Sequence, residues 1–117
     1  KPNTDIIEES APIKIIERLL QSGAKIIVYD PAAMPTAKEA LGDTVEYSKG
    51  VEKCVKDAEI CVIATPWKEF LELPATLSRI GKNDLTIIDC WRILRDKADQ
   101  LNSRYKYIGL GLYHGPE

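Results

Sequence analysis

The stretch Glu59–Thr65, with the sequence EICVIAT, decides the fold of this chain. It is an apolar run rich in β-branched residues, and Pro66 follows it at once and ends the strand. Similar runs occur earlier in the chain at Lys25–Tyr29 (KIIVY) and later at Leu85–Asp89 (LTIID). Short, near-continuous apolar strands are typical of a parallel sheet that is buried on both faces.

Helical patterns alternate with these strands. Ser10 is a suitable N-cap for a first helix whose apolar face is formed by Ile15, Ile16, Leu19 and Leu20, and which ends before Gly23. The remaining predicted elements are helices at Thr36–Leu41, Val51–Asp57, Glu69–Ile80 (interrupted at Pro74) and Leu94–Leu101, and strands at Val45–Tyr47 and Tyr105–Gly111. Strands that alternate with helices form βαβ units. We therefore predict the α/β class, as a three-layer, Rossmann-like domain with a mainly parallel sheet that spans residues 1–117.

The composition excludes several classes of function. The chain has 117 residues, of which 44% are hydrophobic and 29% charged, with a net charge of −2. Its 16 basic residues are interspersed with 18 acidic ones, so no nucleic-acid partner is expected. No apolar run approaches the roughly 20 residues of a membrane span. Cys54, Cys61 and Cys90 are odd in number and lack metal-ligand spacing, so we expect reduced thiols, no metal site and a cytoplasmic protein.

Ligands of an open parallel sheet bind beyond the carboxyl ends of its strands. That rule selects the segments Lys1–Asp5, Asp30-Pro31, Thr65-Pro66-Trp67 and Asp89–Arg92. A lysine and an arginine, Lys1 and Arg92, would suit a phosphate or diphosphate near a helix N-terminus. Trp67 and Trp91 could stack on a base or pack in the protein. We also expect that the first strand of the sheet lies upstream of Lys1.

No catalytic group stands out in the sequence. There is no G-x-G-x-x-G or P-loop, and Gly109 and Gly111 are not followed by a helix. His114 is expected in a solvated tail. Asp89 could be a general base or could cap the loop after its strand, and Arg92 could contact a ligand or form a structural salt bridge. The residues alone predict a nucleotide- or phosphate-binding α/β module with no chemistry of its own.

Five motifs in order carry a resemblance to a known family. They are Lys1-Pro-Asn-Thr-Asp5, Glu9-Ser10, Val28-Tyr29-Asp30-Pro31, Thr65-Pro66-Trp67 with Phe70, and Asp89-Cys90-Trp91-Arg92. The series resembles the C-terminal, UDP-binding domain of the UDP-glucose/GDP-mannose dehydrogenase family. That family's pattern runs roughly F-K-x-x-T-D-D-x-R-E-S, Y-D-P, T-E-W-x-x-F and a strand end like D-G-R.

The resemblance implies a nucleotide-sugar 6-dehydrogenase of polysaccharide biosynthesis. Such an enzyme oxidises UDP-glucose or a related UDP-hexose at C6 to the uronic acid, in two NAD-dependent hydride transfers. The catalytic cysteine, the main NAD-binding domain and a central helical region that supports a homodimer would lie upstream. Lys1 and Arg92 match residues that bind the sugar nucleotide, and Trp67 is a further candidate. The 117 residues would not be catalytic by themselves.

The sequence also departs from the family pattern. Ile6 replaces an aspartate, Pro66 the glutamate of T-E-W, and Cys90 the glycine of D-G-R. Glu8 stands where the family has an arginine on the NAD side, which reverses a charge beside an anionic cofactor. A divergent member acting on another UDP-hexose fits these changes. The alternative is a non-catalytic nucleotide-binding or assembly module of the same fold.

Overall fold

The computed structural model describes residues 11–110. Within this range, α-helices lie at Ala11–Gln21 (α1), Met34–Leu41 (α2), Val51–Lys56 (α3), Leu73–Arg79 (α4) and Ala98–Asn102 (α5). The strands of the same described residues lie at Ile27–Val28 (β1), Glu46–Tyr47 (β2), Ile60–Ile63 (β3), Thr86–Asp89 (β4) and Lys106–Gly109 (β5). Short 3-10 helices at Lys68–Glu72 and Arg95–Lys97 precede α4 and α5.

The described residues up to Gly50 form one compact unit, and the described residues from Val51 onward form a second. In the first unit, β1 and β2 pair in parallel, with Ile27 opposite Glu46. Its core contains Ile13, Leu41 and Val45, against which other apolar side chains such as Ile16 and Leu20 pack.

The apolar face of α1 differs in part from the prediction. Ile13 is buried in the core of the first unit, while Leu19 is 38% exposed. Ile13, Ile16 and Leu20 recur at intervals of three and four residues, which is the spacing of one helical face. Gly23 follows α1 with φ +89°, as expected of a residue that terminates a helix in the left-handed region.

The second unit is built on a three-stranded sheet in the order β3-β4-β5, and both pairs are parallel. Its hydrophobic core draws on both strands and helices. The members of this core are Val55, Ile63, Leu73, Leu77, Leu85, Ile87, Leu94 and Leu101. Leu77 of α4 and Ile87 of β4 are both 0% exposed, so the helix and the central strand supply its most buried side chains.

The predicted interruption at Pro74 has a simple geometric cause. A 3-10 helix ends at Glu72, and α4 begins at Leu73 with the proline in its first turn. Proline is tolerated there because the first N–H groups of a helix have no intrahelical partner. The break therefore comes just before Pro74.

Helices and parallel strands alternate along the described residues, which confirms the predicted α/β, Rossmann-like class. Within residues 11–110, no helix is long and apolar enough to cross a membrane. The Ser10 cap, the end of the last predicted strand at Gly111 and the expected upstream strand fall outside the described part of the chain.

Candidate functional site

The carboxyl ends of β3, β4 and β5 meet at one edge of the sheet in the second unit. The parallel register places Ile63 opposite Asp89, and Asp89 opposite Gly109. The segments that follow β3 and β4, selected above by the strand-end rule, therefore leave the sheet at this shared edge.

Asp89 is the centre of the hydrogen bonding at this edge, and it is 0% exposed. Its Oδ1 accepts a bond from the Trp91 backbone N–H (3.2 Å), and its Oδ2 accepts bonds from the Leu94 N–H (2.8 Å) and the Tyr107 hydroxyl (2.7 Å). A buried carboxylate engaged by three donors caps the loop after β4. Of the two roles that the sequence left open for Asp89, the structure supports the cap.

The pKa of the Tyr107 hydroxyl is raised at this site by burial and, in part, by its contact with Asp89. Burial raises the pKa of its phenol well above the usual value, and the hydrogen bond to Asp89 and the negative charge of that carboxylate act in the same direction. The positive charges of Arg92 and Arg95 oppose the rise. The hydroxyl therefore stays protonated and remains a donor to Asp89 throughout the neutral range.

Trp91 joins the ends of two neighbouring strands. Its indole Nε1 donates a hydrogen bond to the Ala64 carbonyl oxygen (2.9 Å), just after β3, while its backbone N–H is held by Asp89. The side chain is partly buried. Of the two roles predicted for Trp91, the structure favours packing within the protein.

Arg92 adopts an unusual backbone conformation for an arginine, with φ +53°. Its Nε–H is buried and has no hydrogen-bond partner among residues 11–110. None of the salt bridges found in that part of the chain involves this side chain. A buried, unsatisfied donor typically costs about 1–3 kcal/mol, so Arg92 presents a cation with unused hydrogen-bonding capacity.

Trp67 lies after β3, immediately before the 3-10 helix Lys68–Glu72, and is 37% exposed. It therefore shares the carboxyl edge of the sheet with Arg92 and keeps part of its ring open to solvent. Of the three substrate-binding candidates, the structure places Trp67 and Arg92 at one edge, while Lys1 lies outside the described residues. Glu8, Ile6 and His114 lie outside them as well.

Asp30, which follows β1 in the first unit, has a local structural role. Its Oδ1 accepts hydrogen bonds from the backbone N–H groups of Ala32 (2.8 Å) and Ala33 (2.9 Å). This is the pattern of an Asx turn, and it leads the chain from β1 into α2.

None of the three cysteines, all of which lie within residues 11–110, forms a disulfide bond. Burial raises the pKa of Cys54 and Cys90, and it raises that of Cys61 to about 12. Thiols with raised pKa values are poor nucleophiles at neutral pH. Within residues 11–110, no group of three or more potential metal ligands comes together.

Sequence reasoning did not identify Tyr107 and Gly109 as neighbours of Arg92. Both lie on β5, and the sequence showed of Gly109 only that no helix follows it. The signal that could have found them is the parallel register of β4 and β5, which places the end of β5 beside Asp89.

Comparison with known proteins gives an independent line of information. Residues 1–96 match the sequence model of the UDP-glucose/GDP-mannose dehydrogenase family, UDP binding domain. UDP-glucose 6-dehydrogenase TuaD of Bacillus subtilis is 40% identical over 111 residues, which cover 95% of this chain and 24% of that protein. UDP-glucose 6-dehydrogenase YwqF of the same organism is 39% identical over 74 residues, covering 63% and 17%.

A relative with lower sequence identity is matched over a similar share of both chains. The UDP-glucose 6-dehydrogenase of Rhizobium meliloti is 28% identical over 110 residues, which cover 93% of this chain and 25% of that protein. The chain thus spans at most about a quarter of the length of these relatives.

Proposed function

Because the chain belongs to the UDP-glucose/GDP-mannose dehydrogenase family through its UDP binding domain, we propose that it binds the nucleotide of a sugar substrate. In this proposal residues 1–117 form the substrate-nucleotide-binding domain of an NAD-dependent nucleotide-sugar 6-dehydrogenase. The substrate is UDP-glucose or a related UDP-hexose, and the product is the uronic acid. The names of the relatives support the reaction class.

The observation that carries the proposal is the state of Arg92. Its guanidinium stands at the carboxyl edge of a parallel sheet, with a buried Nε–H that has no partner within residues 11–110. A diphosphate supplies anionic oxygens in a geometry that a guanidinium matches with two parallel hydrogen bonds. Trp67, partly exposed at the same edge, is proposed to pack against the nucleotide, and Lys1 is proposed as a second cation.

The described residues are assigned no role toward NAD. Between residues 11 and 110, no glycine-rich turn of the dinucleotide-binding type joins a strand to a helix. We propose that NAD binds mainly to an N-terminal domain of the full-length protein, which also supplies the catalytic cysteine. The proposal also includes a central helical domain in the full-length protein, which would form a homodimer in the cytoplasm.

Titration of the full-length protein with UDP by isothermal titration calorimetry tests the binding role. Hydrogen bonds to charged groups contribute about 1.5–3 kcal/mol, so Arg92→Ala should weaken UDP binding about 10- to 100-fold. Arg104→Ala is the matched control, because Arg104 precedes β5 and so lies toward the opposite edge of the same sheet. Absence of UDP binding at millimolar concentration, or equal affinities of the two variants, would contradict the proposal.

Formation of NADH from NAD and a UDP-hexose tests the reaction. In the full-length protein we expect turnover, with a raised KM for the sugar nucleotide in Arg92→Ala and in Lys1→Ala. Binding of UDP without any turnover of UDP-hexoses would instead favour a non-catalytic binding or assembly module. That alternative is motivated by Ile6 and Glu8, where the sequence departs from the family pattern.

A further inference from the structure

The aliphatic part of the Arg92 side chain lies directly over Gly109 at the end of β5. A Cβ atom added to this glycine would lie 3.1 Å from Arg92 Cγ and 3.3 Å from its Cδ. Both distances are tighter than ordinary van der Waals contact, so a side chain at position 109 would force the arginine to shift. The glycine thus leaves the space that the arginine stem occupies.

Tyr107 borders the same space from two residues earlier on β5. Its hydroxyl oxygen lies 3.6 Å from the position of that added Cβ and donates a 2.7 Å hydrogen bond to Asp89. Side chains at positions i and i+2 of a strand lie on one face, so Tyr107 and Gly109 face the arginine stem together. The hydrogen bond fixes the tyrosine relative to the loop that carries Arg92.

Asp89 holds the backbone on both sides of Arg92. Its two carboxylate oxygens accept bonds from the N–H groups of Trp91 and Leu94, which flank the arginine in sequence. Its main-chain oxygen is 3.3 Å from the Arg92 backbone nitrogen, which donates to it. The loop is therefore held in place around the left-handed residue.

We propose that Tyr107 and Gly109 are positioning residues, which direct the Arg92 guanidinium toward the diphosphate of the nucleotide before that ligand binds. The inference rests on the proposed function, because it assumes that Arg92 contacts the nucleotide. Its physical content is preorganisation: a side chain already held in its bound direction loses less conformational entropy when the ligand arrives. Neither positioning residue needs to touch the nucleotide.

Single variants of the full-length protein test the effect on binding. Tyr107→Phe and Gly109→Ala should each weaken UDP binding about three- to tenfold by calorimetry, the effect of immobilising one long side chain. Tyr105→Phe and Gly50→Ala are matched controls. The Tyr105 hydroxyl donates to the Lys82 carbonyl (2.8 Å), ahead of β4 and β5, and an added Cβ at Gly50 meets no atom within 4 Å. Both controls should keep the affinity of the unsubstituted protein.

Double variants separate positioning from a merely structural role. If Tyr107 and Gly109 act through Arg92, adding Tyr107→Phe or Gly109→Ala to Arg92→Ala should weaken UDP binding no further. Additive losses, or single variants that bind UDP as tightly as their controls, would overturn the inference. Tyr107→Phe deletes only one oxygen, so it keeps the test valid if Gly109→Ala does not fold.

A measurement without ligand distinguishes this inference from the proposed function. The Nε–Hε signal of Arg92 in ¹⁵N NMR spectra of the free protein should shift in Tyr107→Phe and Gly109→Ala and stay in place in the two controls. If these signals shift as expected but the protein does not bind UDP, the nucleotide-binding function is refuted. The positioning of Arg92 by Tyr107 and Gly109 on β5 then still stands. Unchanged Arg92 signals, together with Arg92-dependent UDP binding, would refute the positioning role alone.

Discussion

Replacing Asp89 by asparagine is expected to destabilise the second unit by about 2–3 kcal/mol. The carboxylate is fully buried and accepts bonds from the Trp91 and Leu94 N–H groups and from the Tyr107 hydroxyl. Asparagine has one acceptor oxygen. If that oxygen keeps the bonds from Leu94 and Tyr107, the amide nitrogen faces the N–H of Trp91, and two donors are left against each other.

The magnitude follows from the bonds lost and weakened. One bond to a charged acceptor, about 1.5–3 kcal/mol, disappears, and the other two fall to the roughly 0.5–1.5 kcal/mol of neutral hydrogen bonds. Removing a buried charge recovers part of this loss, since the carboxylate no longer has to be desolvated. The net expected loss is therefore close to that of a single charged hydrogen bond.

Urea unfolding of the 117-residue chain, followed by tryptophan fluorescence, measures the effect, because both tryptophans (Trp67 and Trp91) belong to the second unit. With a slope of about 1–3 kcal/mol per molar urea, the midpoint should fall by about 0.7–3 M. Asp84→Asn replaces an exposed aspartate and should change stability by less than about 0.5 kcal/mol. A midpoint for Asp89→Asn that matches this control would refute the hydrogen-bonding scheme.

Three further predictions concern the core and the titrating groups of the second unit. Leu77→Ala should cost about 2–5 kcal/mol in urea unfolding because Leu77 is 0% exposed, and a loss no larger than that of Leu71→Ala, at a 40% exposed site, would contradict this packing. The pKa of Cys61, raised from 9.0 to about 12, lowers its thiolate fraction about a thousandfold, so iodoacetamide at pH 8 should label it only after denaturation, as read by mass spectrometry. Labelling of Cys61 in the folded chain at the rate of the denatured one would disprove this. The pKa of Tyr107 is higher in the folded than in the unfolded chain, so its contribution to stability is complete below pH 10 and is lost as the pH rises further. The urea midpoint should therefore decline less steeply above pH 10 in Tyr107→Phe, and equal declines would rule out this linkage.

The fold class could be predicted from the sequence because apolar runs and helical periodicity are local signals. The lengths of the strands could not. The run Lys25–Tyr29 forms a strand only at Ile27–Val28, since its partner β2 offers only Glu46 and Tyr47 for pairing. A strand extends as far as its neighbour does, and that limit is set by residues distant in sequence.

The candidate site, too, could be predicted from the sequence only in part. The strand-end rule located Asp89 and Arg92 because it depends only on where a strand stops. It could not reveal Tyr107, whose hydroxyl reaches Asp89 across 18 residues of sequence. It also gave no indication of the left-handed backbone at Arg92, because arginine is not a residue that usually marks this conformation.

The positive φ of Arg92 has a consequence for selection experiments on this domain. Glycine and asparagine adopt such backbone angles with less strain than arginine, so a library at position 92 selected for stability alone should be enriched in those two residues. A library selected for ligand binding should retain arginine. The residue enriched at position 92 would therefore show whether a screen selects for stability or for ligand binding, since the two favour different residues there.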